Sequence, residues 1–551
     1  MRQTENYQPY NGFINVYKEA GYTSMDVCAK LRGILRMKKI GHAGTLDPMA
    51  EGVLPVALGR ATKDVERIGD GTKTYRAGML LGVRTDTQDI TGQVLSEADT
   101  LSGITEEAVR AACESFLGPY EQLTPMYSAR KVNGKKLYEY ARAGKEVERK
   151  TKQVEILSLS VEAIELPHVT FTVKCTKGTY IRTLCHDIGE KLGCGACMES
   201  LVRTEVGAFR IGEAVKLSEI EAARDKGVID SLLTVKSPTA IALGKFDGAH
   251  RGHQKLFSEL RRLGQEKKLR TLVLILDVGK KMIESREDRR REIYGEGIDY
   301  IIELPLNEEM RHMHAEDFVR DILVKRFSMR AIIGGPDIGF GHHKRGNAAL
   351  LETLSRECGF EVRLIEKLRV PEENPGETEE LSSTLVREAL REGDMERVTE
   401  LLGKNYAIPG RVVHGRHLGE PVLGFPTMNL IVDKRQELPP FGVYATRTTI
   451  FPESGKGRSA GKELPLVYDG ISNLGLKPTM DFEQDYDPER IDLETNLFSY
   501  HGDAYGRTIR VEFLHFIRPE RKFGSLEEIK EQLLTHDVAE AKKALAKTAT
   551  A

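Results

Sequence analysis

Gly41-His42-Ala43-Gly44-Thr45-Leu46-Asp47-Pro48-Met49-Ala50-Glu51-Gly52-Val53-Leu54 is the stretch on which the reading turns. Three glycines (Gly41, Gly44, Gly52) let the backbone approach a ligand closely, and Pro48 biases Asp47 towards an extended conformation. The carboxylate is thereby held out on a loop. An aspartate among glycines is by default a turn former, so Asp47 earns a chemical role only from what surrounds it.

Outward from that run, the chain is 551 residues long, too long for one ordinary core, and suggests roughly three or four domains of about 150 residues. Lys plus Arg (81) nearly balance Asp plus Glu (83), so a nucleic-acid partner would have to be met by a local patch. No stretch approaches the ~20 apolar residues needed to cross a bilayer, and the polar start MRQTENYQPYNG has no apolar signal core, so a cytoplasmic protein with no membrane contact is expected. Seven cysteines form no disulfide framework. Only Cys194-Gly195-Ala196-Cys197 has metal or redox spacing; with His186 as the sole local third ligand, free thiols are the expectation.

The texture changes twice. After the charged helical stretch LSEIEAARDKGVIDSLLTVK, the run SPTAIALGKFDG begins a new strand, glycine turn and helix, placing a boundary near Lys236. The segment Pro371 to Ser383 reads as too acidic and too rich in Pro and Gly to pack, and leads through a helical run to a glycine-punctuated β-rich tail from about Tyr406. Three blocks follow: 1–235, 236–395 and 396–551. The loop Ser454 to Lys462 imitates a phosphate loop, but its glycines are misplaced and Glu463 stands where Ser or Thr is required, so a solvated hairpin loop is expected.

In the first block the Asp47 run is joined by Lys73-Thr74-Tyr75, Thr85-Asp86-Thr87-Gln88-Asp89, Tyr127-Ser128-Ala129, Tyr138-x-x-Ala141-Arg142-x-Gly144 and Lys177-Gly178-Thr179-Tyr180-Ile181-Arg182. Together they resemble the bacterial tRNA pseudouridine synthases that act on uridine-55 of the T-loop, over approximately residues 10 to 230. The resemblance implies a mixed α+β domain that needs no cofactor. It implies Asp47 as nucleophile, Tyr75 as the ring stacked on a flipped base and placed for proton removal, and Arg182 as the partner of the carboxylate. A guanidinium there would keep Asp47 ionised. Tyr180 and Leu201 would line the uracil pocket, although core packing explains Leu201 equally well, and His42 would contact RNA beside the extruded nucleotide. The chain departs from the family with Lys18-Glu19 in place of Lys-Pro. The family's small C-terminal RNA-binding domain is expected to be missing, because the second block begins where it should stand.

In the second block Gly244-Lys245-Phe246-Asp247-Gly248-Ala249-His250-Arg251-Gly252-His253 sets two histidines where a strand turns into a helix, a place that favours phosphate. With Gly335-Pro336-Asp337 and Leu381-Ser382-Ser383-Thr384-Leu385-Val386-Arg387, it resembles the FMN adenylyltransferase half of the bifunctional riboflavin kinase/FAD synthetases. The resemblance implies a Rossmann-like fold in which Gly244, His250 and His253 handle ATP phosphates, Ser383 and Arg387 contact nucleotide, and Asp337 lies by flavin or ATP. Lys245 replaces the family's Asn, and Leu276-Asp277-Val278-Gly279 stands in place of Pro-His-Pro.

The third block alternates short apolar runs with Gly and Pro turns, as a small antiparallel barrel does. Gly424-Phe425-Pro426-Thr427-Met428-Asn429 and Glu494-Thr495-Asn496-Leu497 resemble the riboflavin kinase half of the same enzymes. The resemblance implies Thr427 and Asn429 as the Mg²⁺-ATP residues and Glu494 as base for the ribityl hydroxyl. The loop from Gly410 to Gly424 carries Glu420-Pro421 where basic or small residues are common.

The whole reads as a multidomain α/β and β protein with tRNA, riboflavin, FMN and ATP as substrates and no obligate protein partner. The competing reading makes the C-terminal half catalytically degenerate, an RNA-docking or flavin-binding module.

Overall fold

A computed structural model describes residues 7–548, apart from 70, 99, 129, 133, 146, 373–375, 414–426, 453–463, 477–490, 522 and 524. The loops at 410–424 and 454–462, and the Gly424-Phe425-Pro426 half of the kinase motif, therefore lie largely or wholly outside the described residues. Among the described residues no helix is long and apolar enough to cross a membrane. The chain forms two compact units: Gln8–Thr239 with Arg320–Met329, and Ala240–Val319 with Arg330–Ala551 and the first seven residues.

The first unit is built on a mixed sheet whose strands run in the order Gly12–Lys18, Glu51–Leu58, Ala196–Val206, Lys73–Leu81, His168–Cys175, Thr151–Glu165, Gly118–Leu123. All these neighbours are antiparallel except Glu51–Leu58 beside Ala196–Val206, where Arg203 stands opposite Gly52 in parallel register. Strand Lys73–Leu81 is central and buries Tyr75, Ala77, Met79 and Leu81 on alternate positions. Helix Ile181–Leu192 lies against Ala196–Val206; its apolar face, Ile181, Leu184, Cys185 and Ile188, joins the same core as Tyr75 and Leu201.

The second unit opens with a five-stranded sheet ordered Tyr300–Pro305, Arg270–Asp277, Thr239–Gly244, Met329–Gly334, Glu361–Leu364. The chain order steps outwards from Thr239–Gly244 in one direction and then resumes on its other side. The carboxyl end of that strand is thus the topological switch point, where α/β sheets of this type open a ligand crevice. Lys245–Ala249 forms the turn there, and helix Arg251–Lys267 returns over the sheet.

The acidic segment near Pro371 packs better than its composition suggests. Arg369–Pro371 and Thr378–Glu380 pair as a short antiparallel hairpin, with Val370 buried beneath it. Helices Ser383–Glu392 and Met395–Leu402 follow, separated by Gly393 at φ +79°. The tail is a six-stranded antiparallel sheet ordered Tyr406–Arg411, Thr508–Pro519, Gly442–Ile450, Leu466–Leu476, Ile491–Leu497, Thr427–Ile431. A backbone bond from Val413 N–H to the Asn429 carbonyl (2.9 Å) brings the last strand back to the first and closes the barrel. Ile283 of the α/β part, Val386 and Leu390 of the connecting helix, and Tyr406, Ile408 and Leu493 of the barrel share one core. The second and third sequence blocks therefore fold as a single unit.

Candidate functional sites

The Asp47 loop is fastened at nearly every residue around the carboxylate. Leu46 N–H donates to Ser24 Oγ (2.9 Å), and Gly21 N–H to the Pro48 carbonyl (2.9 Å). Lys18, fully buried, donates Nζ to the carbonyls of Ala50 (2.6 Å) and Pro48 (3.1 Å), and burial pulls its pKa down to about 8. Arg203, also fully buried, donates Nη2 to the Gly44 carbonyl, Nη1 to that of Thr45 (both 3.2 Å) and Nε to that of Val53 (2.8 Å). The close approach at Gly52 (φ +101°) proves to be to this protein's own backbone, not to a ligand: a Cβ there would stand 2.3 Å from the Arg203 carbonyl oxygen. Leu46 and Ala50, on either side of Asp47, join the core containing Tyr75 and Leu201.

What remains free is the Asp47 carboxylate, 36% exposed at the side chain. Arg182, 5% exposed, reaches it from the first turn of helix Ile181–Leu192, Nη2 to Oδ2 at 3.6 Å. The same guanidinium lies 3.6 Å from buried Asp89 and donates to the Tyr127 carbonyl at 2.6 Å. Asp89 is itself held by Thr87 Oγ1 (2.9 Å) and Thr91 N–H (3.0 Å), so it aims Arg182 from behind. Gln122 fixes the entry to the helix, accepting from Tyr180 N–H (2.7 Å) and donating to its carbonyl (2.9 Å). The Tyr180 ring lies 5.8 Å from the Arg182 guanidinium. Tyr75 is 7% exposed; burial raises its pKa, partly offset by Arg203, so the resting phenol is protonated. His42 ends a short strand opposite Val56; burial lowers its pKa, and its Nδ1 has no partner among the described residues. The structure thus gathers Asp47, Tyr75, Arg182, Tyr180 and Leu201 around one apolar wall. Lys18, Asp89 and Arg203 were not foreseen as parts of it.

In the α/β part the switch-point turn is tight. Phe246, Gly248 and Ala249 all have positive φ, and a Cβ on Gly244 would press on the Phe246 ring at 3.0 Å. His250 and His253 stack with centroids 3.7 Å apart and planes at 20°; burial is the main reason that His250 is lowered to about 4 and that His253 lies well below its usual value, so both are neutral at pH 7. Ser383 and Arg387 both engage Asp247, Ser383 Oγ donating to its carbonyl (3.0 Å) and the Arg387 guanidinium to its carboxylate. They line a cleft of 710 Å³ with Lys245, Lys280 and Lys281. Asp337 is not on that lining: it is exposed and paired with Lys367 at 2.9 Å.

In the barrel Thr427 stands directly opposite Asn496, and Asn429 opposite Glu494, so all four side chains rise from one face of the strand pair. Asn429 is 4% exposed and its Oδ1 has no partner among the described residues. Asn496, whose Oδ1 is buried and likewise unpartnered among the described residues, was not foreseen; its register opposite Thr427 is the signal that finds it.

Known families match in the same order as these sites. Residues 32–181 match the TruB family pseudouridylate synthase N-terminal domain, and 182–234 the tRNA pseudouridylate synthase B C-terminal domain. The second match ends where the second block begins, near the boundary at Lys236. Residues 233–379 match the FAD synthetase family and 402–545 the riboflavin kinase family. The tRNA pseudouridine synthase B of Lactococcus lactis subsp. lactis is 47% identical over 230 residues, 40% of this chain and 70% of that protein. That of Streptococcus pneumoniae serotype 2 is 46% identical over 256 residues, 43% and 87% respectively, and that of Geotalea uraniireducens 53% over 209, 38% and 67%. Through its N-terminal part the chain belongs to the tRNA pseudouridine synthase B family, and it continues into FAD synthetase and riboflavin kinase domains.

Proposed function

We propose that the first unit converts the uridine at position 55 of the tRNA T-loop into pseudouridine with Asp47 as nucleophile. The observation that carries this is the Asp47–Arg182–Asp89 chain set against the apolar wall of Tyr75 and Leu201. The uridine is flipped out of its loop into this wall, and Tyr75 supplies the ring it lies on, with Tyr180 and Leu201 beside it. Asp47 attacks the nucleotide, the glycosidic carbon–nitrogen bond breaks, the base rotates and a carbon–carbon bond to the same sugar forms; the bond to Asp47 then breaks, the ring carbon now joined to the sugar loses its proton and the freed ring nitrogen gains one. Arg182 pairs with the carboxylate and orients it; the protonated Tyr75 hydroxyl relays the proton that leaves the new bond; His42 fills the stacking gap left in the RNA. No cofactor enters this scheme, and the cytoplasm, where tRNA is found, is its place. Arg182→Lys replaces a fork that spans two carboxylates by a single ammonium, and should slow conversion about a hundredfold while tRNA affinity holds, measured by single-turnover kinetics and filter binding.

In the second unit the barrel phosphorylates riboflavin and the α/β part joins FMN to the adenylyl group of ATP. Thr427 and Asn429 would hold Mg²⁺, which neutralises ATP phosphates when bound. Glu494, exposed on the neighbouring strand, accepts the proton of the ribityl hydroxyl. Glu494→Gln should reduce FMN formation about a hundredfold or more, read by separating flavins after incubation with riboflavin and Mg-ATP. In the adenylyltransferase, Gly244 lets the turn close on the phosphates, the neutral histidines His250 and His253 donate hydrogen bonds to them, and Ser383 and Arg387 border the nucleotide.

A further inference from the structure

Where this chain departs from the FAD synthetases it resembles, the departures converge on one surface. Lys245 takes the place of an asparagine, and the segment without Pro-His-Pro runs on into Lys280 and Lys281. All three lysines line the 710 Å³ cleft at the switch point. Five basic side chains face this cleft against two carboxylates, Asp247 and Glu437. Both carboxylates are already taken: Arg387 binds Asp247, and Arg391 donates to Glu437 at 3.0 Å. The ammonium groups of Lys245, Lys280 and Lys281 have no hydrogen-bond or ion-pair partner among the described residues, while their backbones are fixed. Arg289 donates to the Lys245 carbonyl (3.1 Å), anchored in turn by buried Glu303 (2.6 Å), and Met282 bonds at both its N–H and carbonyl to the barrel loop at Arg435 and Glu437. Partial desolvation at the cleft and the neighbouring cations Lys344, Lys280 and Arg387 hold the Lys245 pKa below its usual value, as at a site short of an anion.

We propose that Lys245, Lys280 and Lys281 form the polyphosphate cradle of the adenylyltransferase, holding the β- and γ-phosphates of ATP. The loop changes then relocate charge neutralisation from the usual motif to lysines. An oxygen of the FMN phosphate attacks the α-phosphorus, the bond from that phosphorus to the α,β-bridging oxygen breaks, and pyrophosphate leaves with the bonding pair. The lysines take up the charge that pyrophosphate acquires. This rests on the adenylyl-transfer reading of the cleft, but binding and chemistry can be separated.

The test is calorimetric titration of the full chain with Mg-ATP, beside FAD formation from FMN. The wild-type chain should bind two nucleotides, one in the barrel and one in the cleft. Lys245→Ala/Lys280→Ala/Lys281→Ala should bind one, and make FAD about a hundredfold more slowly with riboflavin phosphorylation and pseudouridine formation unchanged. The side chains are exposed and unpartnered, so its melting temperature should match wild type, and the triple Arg variant should recover the second site. Two nucleotides bound to the Ala variant, or one to the wild type, overturns the proposal, as does a variant that loses affinity for tRNA and keeps both nucleotides. A wild-type chain that fills both sites and makes no FAD, with the second site lost in the Ala variant, upholds the cradle and removes the adenylyl-transfer reading instead.

Discussion

Asp47→Asn should leave the protein folded and able to bind tRNA, yet lower pseudouridine formation by at least about a thousandfold. The substitution is nearly isosteric, and the loop that carries the side chain is held through backbone groups by Ser24, Lys18 and Arg203, none of which bonds to the carboxylate. Geometry therefore survives while the negative charge and the nucleophile vanish together. Arg182 keeps Asp89 and the Tyr127 carbonyl as partners, so no buried cation is stranded. Single-turnover conversion of a T-loop transcript, with a melting curve of the same sample, separates lost chemistry from lost fold. Conversion within tenfold of wild type would remove Asp47 from the nucleophile's role.

The largest effect on stability is expected at Arg203. Its guanidinium is fully buried and donates to the carbonyls of Gly44, Thr45 and Val53. Arg203→Met fills the volume and removes every donor, leaving polar groups in a dry interior. The cost should be about 3–5 kcal/mol, and the transition that melts the first unit should fall by roughly 10 °C. Activity should fall further than stability accounts for, because the same three carbonyls set where Asp47 points and misplacement of about 1 Å can cost a hundredfold. Differential scanning calorimetry of the full chain reads the first effect, and kcat at a temperature where the variant is folded reads the second.

How far the sequence could have led to this picture differs from one residue to the next. Asp47, Tyr75 and Arg182 are legible because each sits in a short run whose residue types the chemistry needs. Their convergence follows once strand Lys73–Leu81 and helix Ile181–Leu192 pack on a common core. Arg203 carries no such mark. Its partners lie some 150 positions earlier, and the parallel pairing that puts it opposite Gly52 is a tertiary fact. In the sequence Lys18 is marked only by the departure from the family's Lys-Pro. Its role appears once Ala50 and Pro48 turn their carbonyls towards it. The hairpin that pairs Arg369–Pro371 with Thr378–Glu380 was hidden by composition: among its described residues only Val370 is buried, too little to announce a strand. In the barrel Thr427, Asn429 and Glu494 were legible as motifs, whereas Asn496 needed the register of the two strands. Ser383 and Arg387 were read as nucleotide contacts, and in this structure they also hold the Asp247 turn, a bond that no spacing of motifs encodes.

The central claim is that a carboxylate-driven, metal-free isomerase shares a chain with metal-dependent flavin chemistry. It is tested most directly by one incubation of the full chain with T-loop transcript, riboflavin, ATP and Mg²⁺, with and without excess EDTA, resolving pseudouridine and flavins from the same tube. The expected result is full conversion of one T-loop uridine in both samples, with FMN and FAD formed only where Mg²⁺ is free. Pseudouridine formation that requires Mg²⁺ or ATP, or none in either tube, would contradict it.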